Sequence, residues 1–111
     1  MYIHLNNTDT ADCMQFDWDK LKNRANITKH GVSFEVARLV FNDPWSITQA
    51  DVGSHADEPR WQTIGSAAGT VILFVVHTDK DDSDHGEEII RIISARKATA
   101  RERAQYLRHH P

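Results

Sequence analysis

Polar and apolar residues alternate along two segments in the middle of the chain, Trp45 to Asp51 and Arg60 to Ser66. This pattern is typical of strands with one buried face. Val71 to Thr78 is almost wholly apolar and β-branched, so we expect a central strand there, and Ile89 to Ala95 predicts the last strand. Ala67-Ala68-Gly69 fits a hairpin turn. Two segments are predicted to be loops: Gly53 to Pro59, between the two alternating segments, and Asp79 to Gly86, after the central strand.

Two short helices are predicted before these strands. Asp19 and Gly31 fit the N-cap and the C-terminal stop of a basic first helix, whose apolar positions are Leu21 and Ala25. Ser33 can cap a second helix that ends at Asn42-Asp43-Pro44 and carries an apolar stripe. The members of that stripe are Phe34, Ala37, Val40 and Phe41.

A third helix is predicted at the C-terminal end. Thr99 and Glu102 form a T-x-x-E capping box, and we expect Ala104 and Leu107 to point inward. Because strands that follow one another closely favour hairpins, the fold class is predicted to be α+β. We expect an antiparallel sheet of about four strands, with two N-terminal helices and one C-terminal helix. Residues 1–15 are interpreted as an N-terminal extension and residues 16–111 as a single domain. Met14 to Trp18, across that boundary, fits a short edge strand.

Composition indicates a globular protein. The chain has 111 residues, 40% of them hydrophobic and 26% charged, which is close to the average of soluble domains. The longest apolar run, Val71 to Val76, is far shorter than the roughly 20 residues of a membrane-spanning helix. No signal peptide is apparent. The single cysteine, Cys13, has no partner for a disulfide, which favours a cytoplasmic location.

Charge is segregated along the chain although its net value is only -3. Six acidic residues lie between Asp79 and Glu88, whereas Arg91 to Arg108 holds six basic residues and Lys20 to Arg38 holds five. If the two basic segments share a face, they supply the positive potential that a polyanion needs. On charge alone, two ordinary solvated helices are the simpler interpretation.

Five blocks of sequence resemble the BrnT family in order and spacing. They are Phe16 to Asp19, Asn26 to Glu35, Val40 to Pro44, Arg60 to Gly65 and Ile90 to Ala98. The resemblance implies a RelE/ParE-like fold, ribonuclease activity and inhibition by a co-encoded antitoxin with a ribbon-helix-helix DNA-binding part. The chain departs from the family in the acidic segment 79–86 and in residues 1–15, so the resemblance assigns neither a role.

Ribonuclease chemistry needs few groups. The ribose 2′-hydroxyl attacks the adjacent phosphorus, a base takes its proton, and cations stabilise the charge on the phosphate oxygens. The chain has no H-x-x-x-H and no C-x-x-C motif, and the adjacent His109 and His110 are interpreted as part of a frayed end. We therefore expect no metal and no other cofactor, although ligands remote in sequence would make a metal hydrolase the alternative.

The predicted catalytic residues are cations with one carboxylate or imidazole. Lys29 and His30 follow one another at the end of the first helix, where helix capping is the simpler role. Arg60 opens a strand two residues after Glu58, and a surface ion pair is the alternative there. Arg91 interrupts an apolar strand and should have a partner or a phosphate. Glu58 or His30 would be the general base.

The predicted RNA-binding residues are Lys22, Trp61, His77 and Arg96. Trp61 could stack on a base or belong to the core, and His77 could transfer a proton or be structural. By simple alternation Arg91 and Arg96 point to opposite faces, so they share a site only if a bulge intervenes near Ser94.

These expectations lead to a toxin with an RNA substrate. An antitoxin should bury Lys29, Arg60 and Arg91, form a heterotetramer through its own dimerisation and bind the operator DNA. The alternative is a non-catalytic module that binds nucleic acid or an acidic partner with the same basic face.

Overall fold

A computed structural model describes residues 2–6, 14–53, 58–82 and 87–109. In these residues the helices are Lys20–His30 (α1), Phe34–Ala37 (α2) and Ala100–Arg108 (α3), with a 3-10 helix over Arg38–Asn42. The strands are Tyr2–Asn6 (β1), Met14–Asp19 (β2), Ile47–Ala50 (β3), Trp61–Ala67 (β4), Val71–Asp82 (β5) and Glu87–Lys97 (β6). Cys13, His110, residues 54–57 of the first predicted loop and residues 83–86 of the acidic one lie outside the described residues.

The described strands form one mixed sheet in the order β1-β2-β6-β5-β4-β3. Neighbouring strands are antiparallel except β2 and β6, which pair in parallel. The α+β class is confirmed, but the expectation of about four antiparallel strands was wrong. That expectation assumed hairpins between strands close in sequence, whereas β2 is connected to β6 by two α-helices, a 3-10 helix and three strands. Met14 to Trp18 is a strand inside the sheet, between β1 and β6, and not an edge.

Different helices pack on the two faces of the sheet. On the covered face, α2 and the 3-10 helix pack Phe34, Ala37 and Val40 on side chains that β2, β5 and β6 bury there. These include Phe16, Trp18, Val75, Ile90, Ile92 and Ala95. The opposite face, here called the open face, carries a smaller cluster in which Tyr106 of α3 packs on Ile64 and Phe74. The α3 helix therefore covers only one end of the open face.

The predicted N-caps of the three helices and the predicted stop of the first helix are confirmed. Asp19 caps α1, Ser33 caps α2, and Thr99 with Glu102 forms the capping box of α3. Gly31 ends α1 with φ 72°, a left-handed conformation that glycine adopts without strain. The second helix differs from the prediction, because its α-helical part ends at Ala37 and the chain continues as the 3-10 helix.

The predicted inward positions of α1 and α3 were wrong. Leu21 is 70% exposed and Ala25 is exposed, because α1 buries Asn23 and Asn26 instead. Ala104 and Leu107 of α3 are exposed, and Tyr106 is the buried residue.

Asn26 fixes α1 to the edge of β6. Its side chain donates to the carbonyl oxygens of Ala95 and Val32 and accepts from the Ala95 amide. β2 pairs with β6 only as far as Arg91, so the backbone of Ala95 has no strand partner on that side of β6. The Asn26 side chain supplies the missing hydrogen bonds. Asn23 ties α1 to α2 in a similar way, since it accepts from the Phe34 amide and donates to Glu35.

Candidate functional site

A β-bulge in β6 brings two predicted site residues to one face. Val76 pairs with Ser94 and His77 with Ile92, which leaves Ile93 as the extra residue. One extra residue reverses the alternation of side chains. Arg91 and Arg96 consequently both lie on the open face, with Ser94 between them. The sequence predicted that Arg91 and Arg96 could share a face only if a bulge lay near Ser94, and the structure has that bulge.

Four residues form a row across the open face, three of them on the adjacent strands β2, β6 and β5 and the fourth, Arg60, immediately before β4. Thr78 pairs with Arg91, and Arg91 pairs with Asp17. Arg60 is exposed, lies immediately before Trp61, the partner of His77, and accepts a hydrogen bond from the Asp51 amide at its carbonyl oxygen. If the alternation of β4 continues for one more residue, the Arg60 side chain lies on the open face opposite Thr78. Because neighbouring strands are about 4.8 Å apart, the Cα atoms of Arg60 and Arg91 are about 10 Å apart. This set, Arg60, Thr78, Arg91 and Asp17, is here called the arginine row.

Asp17 holds Arg91 by a direct ion pair. Arg91 Nε donates to Asp17 Oδ1 at 3.0 Å, and the two side chains are 43% and 14% exposed, respectively. The carboxylate is therefore largely shielded from water, whereas the arginine reaches the surface. The sequence block Phe16 to Asp19 contained Asp17, but nothing in that block indicated a partner 74 residues away.

Lys80 adds a cation that sequence reasoning missed. It is exposed and lies on β5 two residues beyond Thr78, which places it on the same face about 6.8 Å along the strand. In the sequence it is the lone basic residue of an acidic segment, a setting that suggests no function. Glu58 is exposed and precedes Arg60 by two residues.

Arg96 lies at the other end of the open face and is bound by α3. Its Nη atoms donate to both carboxylate oxygens of Glu102, at 2.8 and 3.0 Å, and its guanidinium stacks 4.1 Å from the Phe74 ring centre. The hydrogen bond between them raises the pKa of Arg96 and lowers the pKa of Glu102. This contact fastens the start of α3 to the sheet, so an RNA phosphate at Arg96 would have to compete with Glu102.

Lys22, Lys29 and His30 belong to α1 and are not part of the arginine row. The helix carries four cations and no carboxylate, and all four cations are exposed. They are Lys20, Lys22, Arg24 and Lys29, here called the α1 cations. Since Asn26 fixes α1 beside β6, these residues form a second basic surface at the sheet edge.

His77 and Trp61 face the covered side of the sheet. The His77 ring is 2% exposed, lies edge-on to Phe41 and forms a 2.7 Å hydrogen bond between Nε2 and Thr63 Oγ1. Burial lowers the pKa of His77 to about 4. The burial of His77 argues against its predicted RNA-binding role, because RNA could reach the ring only if the core around it opened. Trp61 pairs with His77 on the same face and is half-buried.

Two general features of the described residues bear on function. None of their His, Cys, Asp and Glu side chains form a group of three that could hold a metal ion. None of the helices in this part of the chain has the length and apolar character needed to cross a membrane.

Comparison with known families gives a match over residues 18–102, to the family described as the ribonuclease toxin, BrnT, of type II toxin–antitoxin systems. The chain belongs to the BrnT family. The matched residues of this BrnT-family chain include Arg60, Thr78, Lys80 and Arg91, and Asp17 lies one residue before them. The crystal structure of the Brucella abortus ribonuclease toxin BrnT is 26% identical, with a TM-score of 0.49. That match covers 74% of this chain and 92% of the Brucella chain. No curated protein matches the chain.

Proposed function

We propose that this BrnT-family chain is a toxin that cleaves RNA on the open face without a metal ion and thereby inhibits translation and growth. The arginine row is the observation that supports this most directly. It brings two arginines, with Cα atoms about 10 Å apart, to one level of the sheet, and the planar guanidinium group suits phosphate binding. Lys80 extends the cationic surface along β5.

The proposed reaction is an internal transfer of the phosphoryl group. The 2′-oxygen attacks phosphorus as a base takes its proton, and the bond to the 5′-oxygen breaks as that oxygen receives a proton. The products are a 2′,3′-cyclic phosphate and a 5′-hydroxyl. Negative charge gathers on the non-bridging oxygens, where fixed cations stabilise the transition state more than the substrate.

Most of the predicted residues have a proposed role in this reaction. Arg91 contacts the scissile phosphate and Arg60 positions the backbone. Glu58 is the preferred general base because it is two residues from Arg60, whereas His30 lies on α1. Lys22 and Lys29 would contact RNA where it crosses the sheet edge. Arg96 would bind RNA only beside the row, since Glu102 and Phe74 already hold it, and Trp61, which faces the covered side, is given no role on the open face.

The decisive experiment measures cleavage of a labelled single-stranded RNA by the purified protein, with and without a chelator. Arg91→Ala should lower kcat/KM by about 100-fold or more, as expected for loss of a group that stabilises transition-state charge. Arg101→Ala, which removes an exposed cation from the first turn of α3, is the matched control.

The outcomes separate the candidate functions. Activity that disappears with chelator and returns with a divalent cation would show a metal hydrolase. A folded wild-type protein that binds RNA, with an affinity that Arg91→Ala weakens, but never cuts it would be a binding module. Unchanged cleavage by Arg91→Ala would exclude Arg91 from the site.

The proposed partner is the antitoxin of the same system. We propose an antitoxin with a ribbon-helix-helix part that dimerises, so that two toxins and two antitoxins form a heterotetramer. Operator DNA would then be bound by the antitoxin. Size measurement of the co-expressed complex, followed by operator binding with and without the toxin, tests each part.

A further inference from the structure

We infer that Asp17 is a positioning residue that sets the guanidinium of Arg91 for phosphate binding. The inference rests on the proposed function, because it assumes that Arg91 contacts the scissile phosphate. A carboxylate on an RNA-binding face is unexpected, because its negative charge repels phosphate. The inference gives this carboxylate a role.

The backbone around Asp17 is rigid. Its neighbours Phe16 and Trp18 are both completely buried in the core, and β2 is paired on one side with β1 and on the other with β6. Asp17 and Arg91 are direct partners in the parallel register. The carboxylate therefore has little freedom to move, and the 3.0 Å contact transmits that restriction to Arg91.

An arginine side chain loses rotamer entropy when it is fixed. A carboxylate bound at Nε fixes the plane of the guanidinium before the substrate arrives, so less of this cost falls on RNA binding. The contact on the same face between Arg96 and Glu102 uses the Nη atoms instead and links the sheet to a helix. The bond at Nε within the sheet is the one that suits positioning.

The sign of the effect separates positioning from simple electrostatics. If Asp17 were only a negative charge beside the RNA, its removal would strengthen binding and accelerate cleavage. If it positions Arg91, its removal should slow cleavage although the face becomes more positive. The two roles therefore predict opposite changes.

The test is a double-mutant cycle in RNA cleavage. Asp17→Ala should lower kcat/KM by about 10- to 100-fold, the range expected for a misplaced catalytic contact. Asp17→Asn, which keeps an oxygen that can accept from Nε, should lose less. In an Arg91→Lys background, Asp17→Ala should lower kcat/KM by less than about threefold further, because the guanidinium that Asp17 positions is absent.

Two measurements make the cycle specific. Asp79→Asn is the matched control, because Asp79 is exposed at the neighbouring position of β5 but on the opposite face, and its kcat/KM should not fall. Hydrogen exchange of the Arg91 Nε proton, followed by NMR, should be slow in the wild type and fast in Asp17→Ala. If Asp17→Ala does not fold, Asp17→Leu, which keeps a similar shape but has no oxygen to accept from Nε, carries the test.

The possible failures are distinguishable. A folded wild type that does not cut RNA defeats the proposed function. A wild type that cuts RNA, with Asp17 variants that cut it equally well or faster, defeats this inference alone. An equal loss from Asp17→Ala with arginine or lysine at position 91 also overturns it, because Asp17 would then act independently of Arg91.

Discussion

Arg91 and Arg96 lie on the same face of the sheet although five positions separate them in β6, because Ile93 is an extra residue of β6 and their partners on β5 are only four positions apart. Their contacts differ. Arg91 is held by a neighbouring strand and reaches the surface, whereas Arg96 is held by Glu102 of α3 and stacks on Phe74. Two arginines that look equivalent in the sequence should therefore respond differently to substitution.

Arg96→Ala should lower the free energy of unfolding by about 1 kcal/mol, because a partly exposed ion pair and a cation–π contact each contribute at most that order. Its effect on RNA cleavage should be much smaller than that of Arg91→Ala. Denaturant unfolding and cleavage assays on both variants measure the two effects. A stability unchanged in Arg96→Ala would show that its contacts with α3 do not stabilise the fold.

Sequence patterns predicted the local features of this molecule better than its long-range pairings. The caps at Asp19, Ser33 and Thr99 depend on neighbouring residues and are confirmed. The parallel pairing of β2 with β6 joins segments more than 70 residues apart, and no local pattern carries that information.

The same limit applies to the candidate site. Arg60 and Arg91 could be selected from their residue type and strand positions, but Asp17 and Lys80 could not, because only the sheet register places them beside Arg91. The buried side of α1 was also missed, since amphipathic patterns are read from apolar residues and α1 is fixed by Asn23 and Asn26.

Asn26→Ala should destabilise the protein by about 2 to 5 kcal/mol. It would leave the Ala95 amide and the carbonyl oxygens of Ala95 and Val32 without their present partner, and an unsatisfied buried polar group costs about 1 to 3 kcal/mol. Chemical denaturation measures the change. Thr28→Ala, at an exposed position of the same helix, is the control and should cost little. Equal stability of the two variants would contradict the conclusion that Asn26 stabilises the fold by its hydrogen bonds to the Ala95 backbone.

His77 should make the protein less stable in mild acid. Its pKa is about 4 in the folded state against 6.5 for a free histidine, so the unfolded chain binds a proton first as the pH falls. Its contribution should be absent above pH 7 and should grow to a penalty of about 3 kcal/mol near pH 4, at 1.36 kcal/mol for each pKa unit. Denaturation of the wild type and His77→Gln at several pH values measures the difference. A difference independent of pH between 4 and 7 would contradict the low pKa.

The antitoxin should recognise the arginine row, because an acidic segment that covers those residues also excludes RNA phosphate from them. The sequence predicted one buried surface with Lys29, Arg60 and Arg91, but Lys29 lies on α1 and the two arginines lie on the open face. The two regions can therefore be tested separately by reversing the charge at two residues in each.

Arg60→Glu with Arg91→Glu should weaken antitoxin binding and reduce its dependence on salt, since fewer opposite charges would meet at the interface. Lys22→Glu with Lys29→Glu applies the same change of charge to α1. Titration of each variant with purified antitoxin at two salt concentrations compares them. A loss confined to the α1 variant would place the antitoxin on the α1 cations, and inhibition would then have to act on the arginine row from a distance. Unchanged affinity and salt dependence in both variants would mean that neither basic surface is used, and that neutralisation depends on contacts elsewhere in the fold.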